Sequence, residues 1–265
     1  MSINGFIIVD KPKGIKSNEV CKIISRIADS KKVGHSGTLD PNATGVLLVC
    51  INSATKIIRV LQKLDKRYIA IMHTHQNVTM KEINLAIKGF VGKIIQIPPV
   101  RSAVARKPRK RIIYSIKIVE RSGRDIKLDI RCQSGTYIRK LISDIGNKIG
   151  GAHLKELRRI SVGKFSIEQS HELSELEKNI SKAIMPIELA ISRLKKLIVT
   201  KNAIKPICNG KPIIASYIKK IDKNIKKGEI IRILDEDENV VALGRFVRYN
   251  KIVARVIRVI VNDKK

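Results

Sequence analysis

The segment His35-Ser-Gly-Thr-Leu-Asp40-Pro41-Asn-Ala-Thr-Gly45 is the most unusual stretch of the chain. Asp40 is fixed by the proline that follows and flanked by glycines, so a carboxylate is offered where backbone can approach a ligand closely. A plain Asp-Pro turn accounts for the same residues. A second candidate is Ser134-Gly-Thr-Tyr137-Ile-Arg139-Lys-Leu, where a Tyr and an Arg fall in the first turn of a helix just after a strand. A cation there opposes the helix dipole and implies a carboxylate or phosphate partner, unless the guanidinium is simply solvated. His73 and His75 share a strand face, yet no Cys or carboxylate stands near them in sequence, which argues against a metal. The four cysteines (Cys21, Cys50, Cys132, Cys208) are widely spaced without a CxxC pair, so neither a disulfide framework nor a zinc site is expected.

The elements that would carry these residues are legible in the pattern. Gly5–Val9 reads as a strand running into the turn Asp10-Lys-Pro-Lys-Gly14. Ser17 is placed as the cap of a helix bearing Val20, Ile23, Ile24 and Ile27. Residues 30–45 read as a polar, Gly-rich loop, and Val46–Ile51 as a buried strand. Ser53 is expected to cap a second helix with Ile57, Val60, Leu61 and Leu64 on one face. Arg67–His73 alternates like a strand, and Thr79 with Glu82 forms a capping box for the helix bearing Ile83, Ala86, Ile87 and Phe90. Ile112–Val119 and Ile126–Cys132 suggest a hairpin around Ser122-Gly123, and Thr136 opens a helix with Ile138, Leu141, Ile142, Ile145 and Ile149 in register. Beyond about residue 185 the texture becomes β-rich, with strands broken by Gly210, Gly228 and Gly244. The fold class expected is α+β: a mixed-sheet domain over 1–190 and a small, mostly β domain over 191–265.

With 54 Lys+Arg against 23 Asp+Glu, the net charge is +31. Splitting near Leu197 leaves 38 − 16 = +22 before it and 16 − 7 = +9 after it, so the basicity is no detachable tail. Such a surface fits a polyanion, above all nucleic acid. The densest run, RSAVARKPRKR, holds Arg101, Arg106, Lys107, Arg109, Lys110 and Arg111 and is bracketed by prolines, as an exposed RNA-contacting segment would be. Only 3% of residues are aromatic and Trp is absent, so broad base-stacking platforms are not expected and backbone contacts must dominate. No run approaches the length of a membrane span and the first residues do not read as a signal peptide, so a cytoplasmic protein is expected.

GHSGTLDPNATGVL resembles the signature loop of the TruB family of RNA pseudouridine synthases. GFIIVDKPKG (5–14), DKRYIA (65–70), SGTYIRKLISDIG (134–146) and GAHLKELRR (151–159) match further family motifs, in family order. PPVRSAVARKPRKR (98–111) and MHTHQNV (72–78) are most similar to the archaeal and eukaryotic, dyskerin-like branch. KKGEIIRILDEDENVVALG (226–244) resembles part of a PUA domain, a small RNA-binding module. The resemblance implies that Asp40 is the nucleophile of uridine isomerisation and that Arg139 holds it ionised through an ion pair that lowers its pKa. It further implies that Tyr68 stacks on the flipped uracil, that Leu157 packs on its other face, that Tyr137 lines the pocket and that His35 assists flipping. Lys11 and Pro12 would support the catalytic loop. Neither metal nor organic cofactor is implied.

The implied partners are RNA (an H/ACA guide RNA, with rRNA or tRNA as substrate) and the small basic core proteins of an H/ACA particle. The resemblance equally accommodates a stand-alone enzyme modifying the tRNA T-loop; a catalytically silent RNA-binding protein would not need Asp40, Tyr68 and Arg139 together. The chain departs from the family pattern in IKSNEV (15–20), in a one-residue shortening at Ile149–His153, in Lys211 where small residues are common, and in starting almost at the first motif.

Overall fold

The computed structural model describes residues 3–98, 105 and 107–260. The chain opens with β1 (Gly5–Lys11), α1 (Ser17–Ile27), β2 (Val33–His35) and β3 (Thr44–Ile51). After a 3-10 turn at Asn52–Ile57 come α2 (Ile58–Gln62), β4 (Lys66–Thr74), α3 (Met80–Lys88), β5 (Gly92–Gln96), β6 (Arg109–Ser122) and β7 (Asp125–Cys132). Then follow α4 (Ile138–Gly146), β8 (Ala152–Val162), β9 (Phe165–Ser166), α5 (Leu173–Asn179) and α6 (Ile187–Ile191). The remainder is β10 (Lys196–Val199), α7 (Lys201–Cys208), β11 (Ile213–Ile214), β12 (Ile218–Ile221), β13 (Ile230–Leu234), β14 (Val240–Tyr249) and β15 (Ile252–Val259). Strands β1 to β9 form one mixed sheet and β10 to β15 a second, which is the mixed α and β architecture that the sequence indicates.

The large sheet has the order β1-β3-β8-β4-β7-β6-β5, with β2 on β3 and β9 on β8. Its centre is unusual. β8 runs antiparallel to β4 along most of its length but meets β3 in parallel at only two pairs, Thr44 with Arg158 and Gly45 with Arg159. Those pairs lie at the end of the loop that carries Asp40, so the loop enters the sheet where its two halves join. β3 is an unbroken apolar run, Val46-Leu-Leu-Val-Cys-Ile51, because both faces are covered. Val46, Leu48 and Cys50 pack with Phe6, Ile57 and Phe165, and Leu47, Val49 and Ile51 pack with Val20 and Ile24 of α1 and Leu176 of α5. β4 instead alternates, with Tyr68, Ala70, Met72 and Thr74 buried and their neighbours more open, since α3 and α4 cover one face only.

The second sheet runs β11-β15-β14-β13-β10-β12. Ile198, Leu234, Val240, Leu243 and Ile260 share one apolar cluster with Phe6, Val46 and Ile57, so the two sheets are joined through a common core. Gly244 does not break a strand as expected: it lies inside β14 at a register shift, and a Cβ there would stand 2.8 Å from Ile233 Cδ1.

Several expected caps have other work. The Ser17 hydroxyl is buried and bonded to the Leu39 backbone, while α1 is capped by Glu19, whose carboxylate accepts from the Lys16 N–H at 2.7 Å. The Ser53 hydroxyl donates to Asn4 Oδ1 at 2.6 Å, and the segment after it starts as a 3-10 turn, so the true helix begins only at Ile58. The loop at 30–45 is partly ordered as β2, which adds three residue pairs to β3. The Thr79–Glu82 capping box forms as expected, with the Thr79 N–H donating to Glu82 at 2.7 Å and the Glu82 N–H to Thr79 Oγ1 at 3.3 Å.

Candidate active site

Asp40 lies between β2 and β3, and its carboxylate accepts from Arg139 Nη2 at 3.1 Å. The two side chains are 56% and 61% exposed, so the pair faces solvent while the backbone beneath it is held from inside. Three buried groups do the holding. Ser17 Oγ accepts from the Leu39 N–H at 2.8 Å and donates to the Leu39 carbonyl at 3.0 Å. The Lys11 ammonium, wholly buried, donates to the carbonyls of Pro12, Ile15 and Pro41 at 2.7, 2.8 and 3.1 Å, tying the first turn to the residue after Asp40. Arg159, 2% exposed, donates from Nε to the Val46 carbonyl at 2.7 Å and from Nη2 to the Gly37 carbonyl at 3.0 Å. Burial holds the Lys11 ammonium below its usual pKa, with Asp40 pulling the other way.

Gly45 closes this frame and must be glycine. Its φ is +100°, and an added Cβ would lie 2.2 Å from the Arg159 carbonyl oxygen.

Tyr68 is buried on β4 in the same apolar cluster as Leu39 and Ala43, with partly buried Leu157 packed against that cluster. In the ladder Tyr68 pairs with Arg159, and Ala70 with Leu157. Burial pushes the Tyr68 phenol up, and the Arg159 guanidinium beside it acts in the opposite direction. Tyr137 sits at the N-terminal boundary of α4, one residue later than the expected start at Thr136. Buried Gln96 clamps it: the Tyr137 N–H donates to Gln96 Oε1 at 3.0 Å, and Gln96 Nε2 donates to the Tyr137 carbonyl at 3.2 Å. Since Arg139 is two residues further on, Gln96 also fixes the turn from which Arg139 reaches Asp40. His35 Nδ1 accepts from the Gly37 N–H at 3.3 Å, which leaves Nε2 to donate to Asn18 Oδ1 at 2.9 Å. Burial, reinforced by Arg159, lowers the His35 pKa and so favours this neutral form.

The structure therefore brings Asp40, Arg139, Tyr68, Leu157, Tyr137, His35 and Lys11 to one region. Arg101 and Arg106 of the basic run lie outside the described residues. Lys107 is exposed, and Arg109 is half-buried with an Nε that has no hydrogen-bond partner among the described residues. Arg111 is committed locally, donating from Nε to the Gly135 carbonyl at 2.9 Å beneath the turn that precedes Tyr137. Sequence reasoning missed Ser17 as a loop anchor, Gln96, Arg158 and Arg159. Arg158 grips Asp10 through both guanidinium nitrogens at 3.2 and 2.6 Å and also donates to Thr44 Oγ1 at 3.3 Å. The signal for the arginines was present as Leu157-Arg158-Arg159, two adjacent cations in a strand, but nothing in the pattern gives their burial.

His73 does have a carboxylate neighbour, contrary to the expectation. Its Nδ1 is 2.5 Å from Asp125 Oδ1, Lys155 takes the other Asp125 oxygen at 2.5 Å, and His75 Nε2 meets His153 Nδ1 at 3.0 Å. These bonds pair the groups with one another. Among the described residues no group of three or more His, Cys, Asp or Glu is arranged to hold a metal ion, and no helix is long and apolar enough to cross a membrane.

Comparison with known proteins converges on one family. Residues 25–82 and 70–138 match the N-terminal domain of TruB family pseudouridylate synthase, 139–192 the C-terminal domain of tRNA pseudouridylate synthase B, and 195–262 a PUA domain. A probable tRNA pseudouridine synthase B of Nanoarchaeum equitans is 41% identical over 251 residues, which is 90% of this chain and 72% of that protein. One from Pyrococcus abyssi is 40% identical over 255 residues, 91% of this chain and 76% of the relative. Among solved structures, a chain from a Cbf5-Nop10-Gar1 complex superposes with a TM-score of 0.89 at 36% identity, covering 97% of this chain and 85% of that one. A chain from an H/ACA RNP bound to a substrate RNA containing 2′-deoxyuridine gives 0.86 at 34% identity, covering 97% and 85%. This chain belongs to the TruB family of pseudouridine synthases, RNA isomerases, and carries a PUA domain.

Proposed function

We propose that this pseudouridine synthase is the catalytic subunit of an H/ACA guide ribonucleoprotein and isomerises uridine in rRNA. Its catalytic unit would span 1–190 and its PUA unit 191–265, in the cytoplasm. The observation that carries the reading is the arrangement at Asp40: a carboxylate paired with Arg139, on a loop whose backbone Ser17, Lys11 and Arg159 fix from below.

In this reading Asp40 attacks the flipped nucleotide at the ribose C1′ or the uracil C6. The bond from N1 to C1′ breaks, the uracil turns within the pocket, C5 bonds to C1′, and the bond formed to Asp40 breaks to return its free carboxylate. The C5 proton then leaves and N1 takes one up, so the net change is isomerisation, with no cofactor consumed. Tyr68 and Leu157 would hold the base between them, since a uridine lifted from its stack needs apolar and aromatic surface in exchange. Arg139 positions the nucleophile, His35 helps keep the nucleotide extruded, and Tyr137 lines the wall. Arg101, Arg106, Lys107 and Arg109 would contact RNA backbone. Small core proteins of the kind named in the Cbf5-Nop10-Gar1 complex, together with a guide RNA, would be the partners.

The names of the curated relatives favour a second reading, a stand-alone tRNA enzyme acting on the T-loop. Release of the uracil C5 hydrogen from labelled rRNA and labelled tRNA, each with and without guide RNA and core proteins, separates the two. Turnover of rRNA that requires the guide is the expected result. Efficient turnover of tRNA by the chain alone, with none on guided rRNA, would overturn the particle assignment.

A further inference from the structure

An open groove of about 870 Å³ runs between α1 and β2. Asn18, Lys22 and Arg26 lie at i, i+4 and i+8 along one side of α1, and all three are exposed. With Lys31, which follows the helix, three cations line the groove and no carboxylate does. None of the three cations forms an ion pair among the described residues. The acidic residues of this stretch lie elsewhere: Glu19 is turned onto the Lys16 N–H, and Asp29 is not part of the lining. Arg26 suits the C-terminal end of the helix dipole, but Lys22 stands one turn before it, where a like charge works against the helix. A second basic hollow shows the contrast, since Lys63, Arg67, Lys117 and Arg131 share it with Asp65 and Asp129, and Asp129 grips Arg67 at 2.6 Å. From Asn18 to Arg26 the helix rises about 12 Å, the length of about three stacked nucleotides. The groove floor includes Ile58, which Gly34 makes room for: a Cβ there would stand 2.9 Å from Ile58 Cδ1. His35 lines the groove too, bonded to Asn18 at 2.9 Å, and from it the chain runs on through Gly37 to Asp40.

We infer that this groove binds the substrate RNA strand next to the target uridine, its phosphates set against Lys22, Arg26 and Lys31 and its path entering the Asp40 site past His35. The inference rests on the reading in which Asp40 receives the flipped uridine. A flipped nucleotide stays joined to its neighbours, so the flanking strand must leave the site over a surface that offsets its charge. The α1 groove starts at the residues leading into the Asp40 loop and has no acid to repel phosphate. No Phe, Tyr or Trp lines it, so it offers contact to the backbone rather than a stack for bases.

The test uses the full chain with whichever RNA and partners the wild type turns over, so the choice between guided rRNA and tRNA does not enter. p-Benzoylphenylalanine is placed at 22, and separately at 26, irradiated with end-labelled substrate RNA, and the crosslinked nucleotides are mapped. Crosslinks are expected within about three nucleotides of the target uridine, on one flank. Crosslinks only to distant nucleotides, to a guide strand or to a core protein overturn the inference, the last making the groove a protein-docking face. Lys22→Ser, Arg26→Ser and Lys31→Ser are then combined; the side chains are exposed, so the melt stays close to wild type. The slope of log K against log salt should become shallower by about 2, at about 0.7 per lost contact, and kcat/KM should fall by about tenfold, carried by KM. An unchanged slope and KM overturn the inference. A substrate strand cut back on the crosslinking flank should lose affinity for the wild type but little more for the triple variant, and equal losses overturn it as well. Turnover retained in Asp40→Asn would remove the reading at Asp40, while the mapped crosslinks and the salt slope would still decide whether RNA lies in the groove.

Discussion

Ser17→Ala isolates the difference between a helix cap and a loop anchor. The hydroxyl is 2% exposed and makes two bonds to one residue, accepting from the Leu39 N–H and donating to its carbonyl. Removing it strands one donor and one acceptor in a dry site, at about 1–3 kcal/mol each, so about 2–4 kcal/mol in total with partial relaxation. For a chain of this size each kcal/mol moves Tm by about 2–4 °C, so a fall of roughly 5–15 °C is expected. Asp40 is the next residue after Leu39, and relief of the stranded groups requires that backbone to shift. A displacement of about 1 Å at the proposed nucleophile lowers turnover by about 10²-fold. The measurements are a thermal melt and C5-hydrogen release at saturating RNA, with Glu19→Ala as the comparison, because it removes only the exposed cap of α1. Glu19→Ala should cost about 1 kcal/mol and leave kcat alone. If Ser17→Ala behaves like Glu19→Ala, with a drop of a few degrees and unchanged kcat, the anchoring argument is wrong.

Further outcomes follow from the same geometry. Asp40→Asn should abolish isomerisation while lowering Tm by no more than a few degrees, because an exposed ion pair contributes only about 0–1 kcal/mol; retained turnover would remove Asp40 as nucleophile. Gly45→Ala should be strongly destabilising, since the added Cβ meets a backbone carbonyl rather than a flexible side chain, and a melt matching wild type would contradict the close approach of β3 to β8. Replacing Arg106, Lys107 and Lys110 with serine spares Arg109 and Arg111, and should flatten the dependence of log K on log salt by about 0.7 per lost contact; an equal slope returns these residues to plain solvation. Lys66 is buried and bonded to the Gln62 and Leu64 carbonyls, and burial lowers its pKa to about 8. The unfolded chain thus binds the extra proton between pH 8 and 10.5, and stability should rise across that window by up to about 3 kcal/mol. Denaturant titrations of Lys66→Met should lack that rise.

Much of the fold was legible because local physics and tertiary structure agree. The period-2 alternation of β4, the unbroken apolar β3, the Thr79–Glu82 box and the hairpin around Gly123 each follow from patterns that a neighbouring layer then buries. The errors have a common cause. Ser17 and Ser53 stand where a capping serine would, but a hydroxyl takes whichever partner the fold presents, and the partners were 22 and 49 residues away. Gly244 carries the same ambiguity, since glycine serves both turns and strand bulges.

The sequence by itself determined the chemistry on offer: a carboxylate on a constrained loop, an arginine in a helix turn that calls for an anion, a basic surface, and the ordered motifs of one family. Only the tertiary structure decided what holds that carboxylate still. Arg158 and Arg159 read as two more charges among 54. They become a clamp and a buried cation because β8 is inserted between β3 and β4, and the order of strands in a sheet is a property of long-range packing that local pattern does not encode.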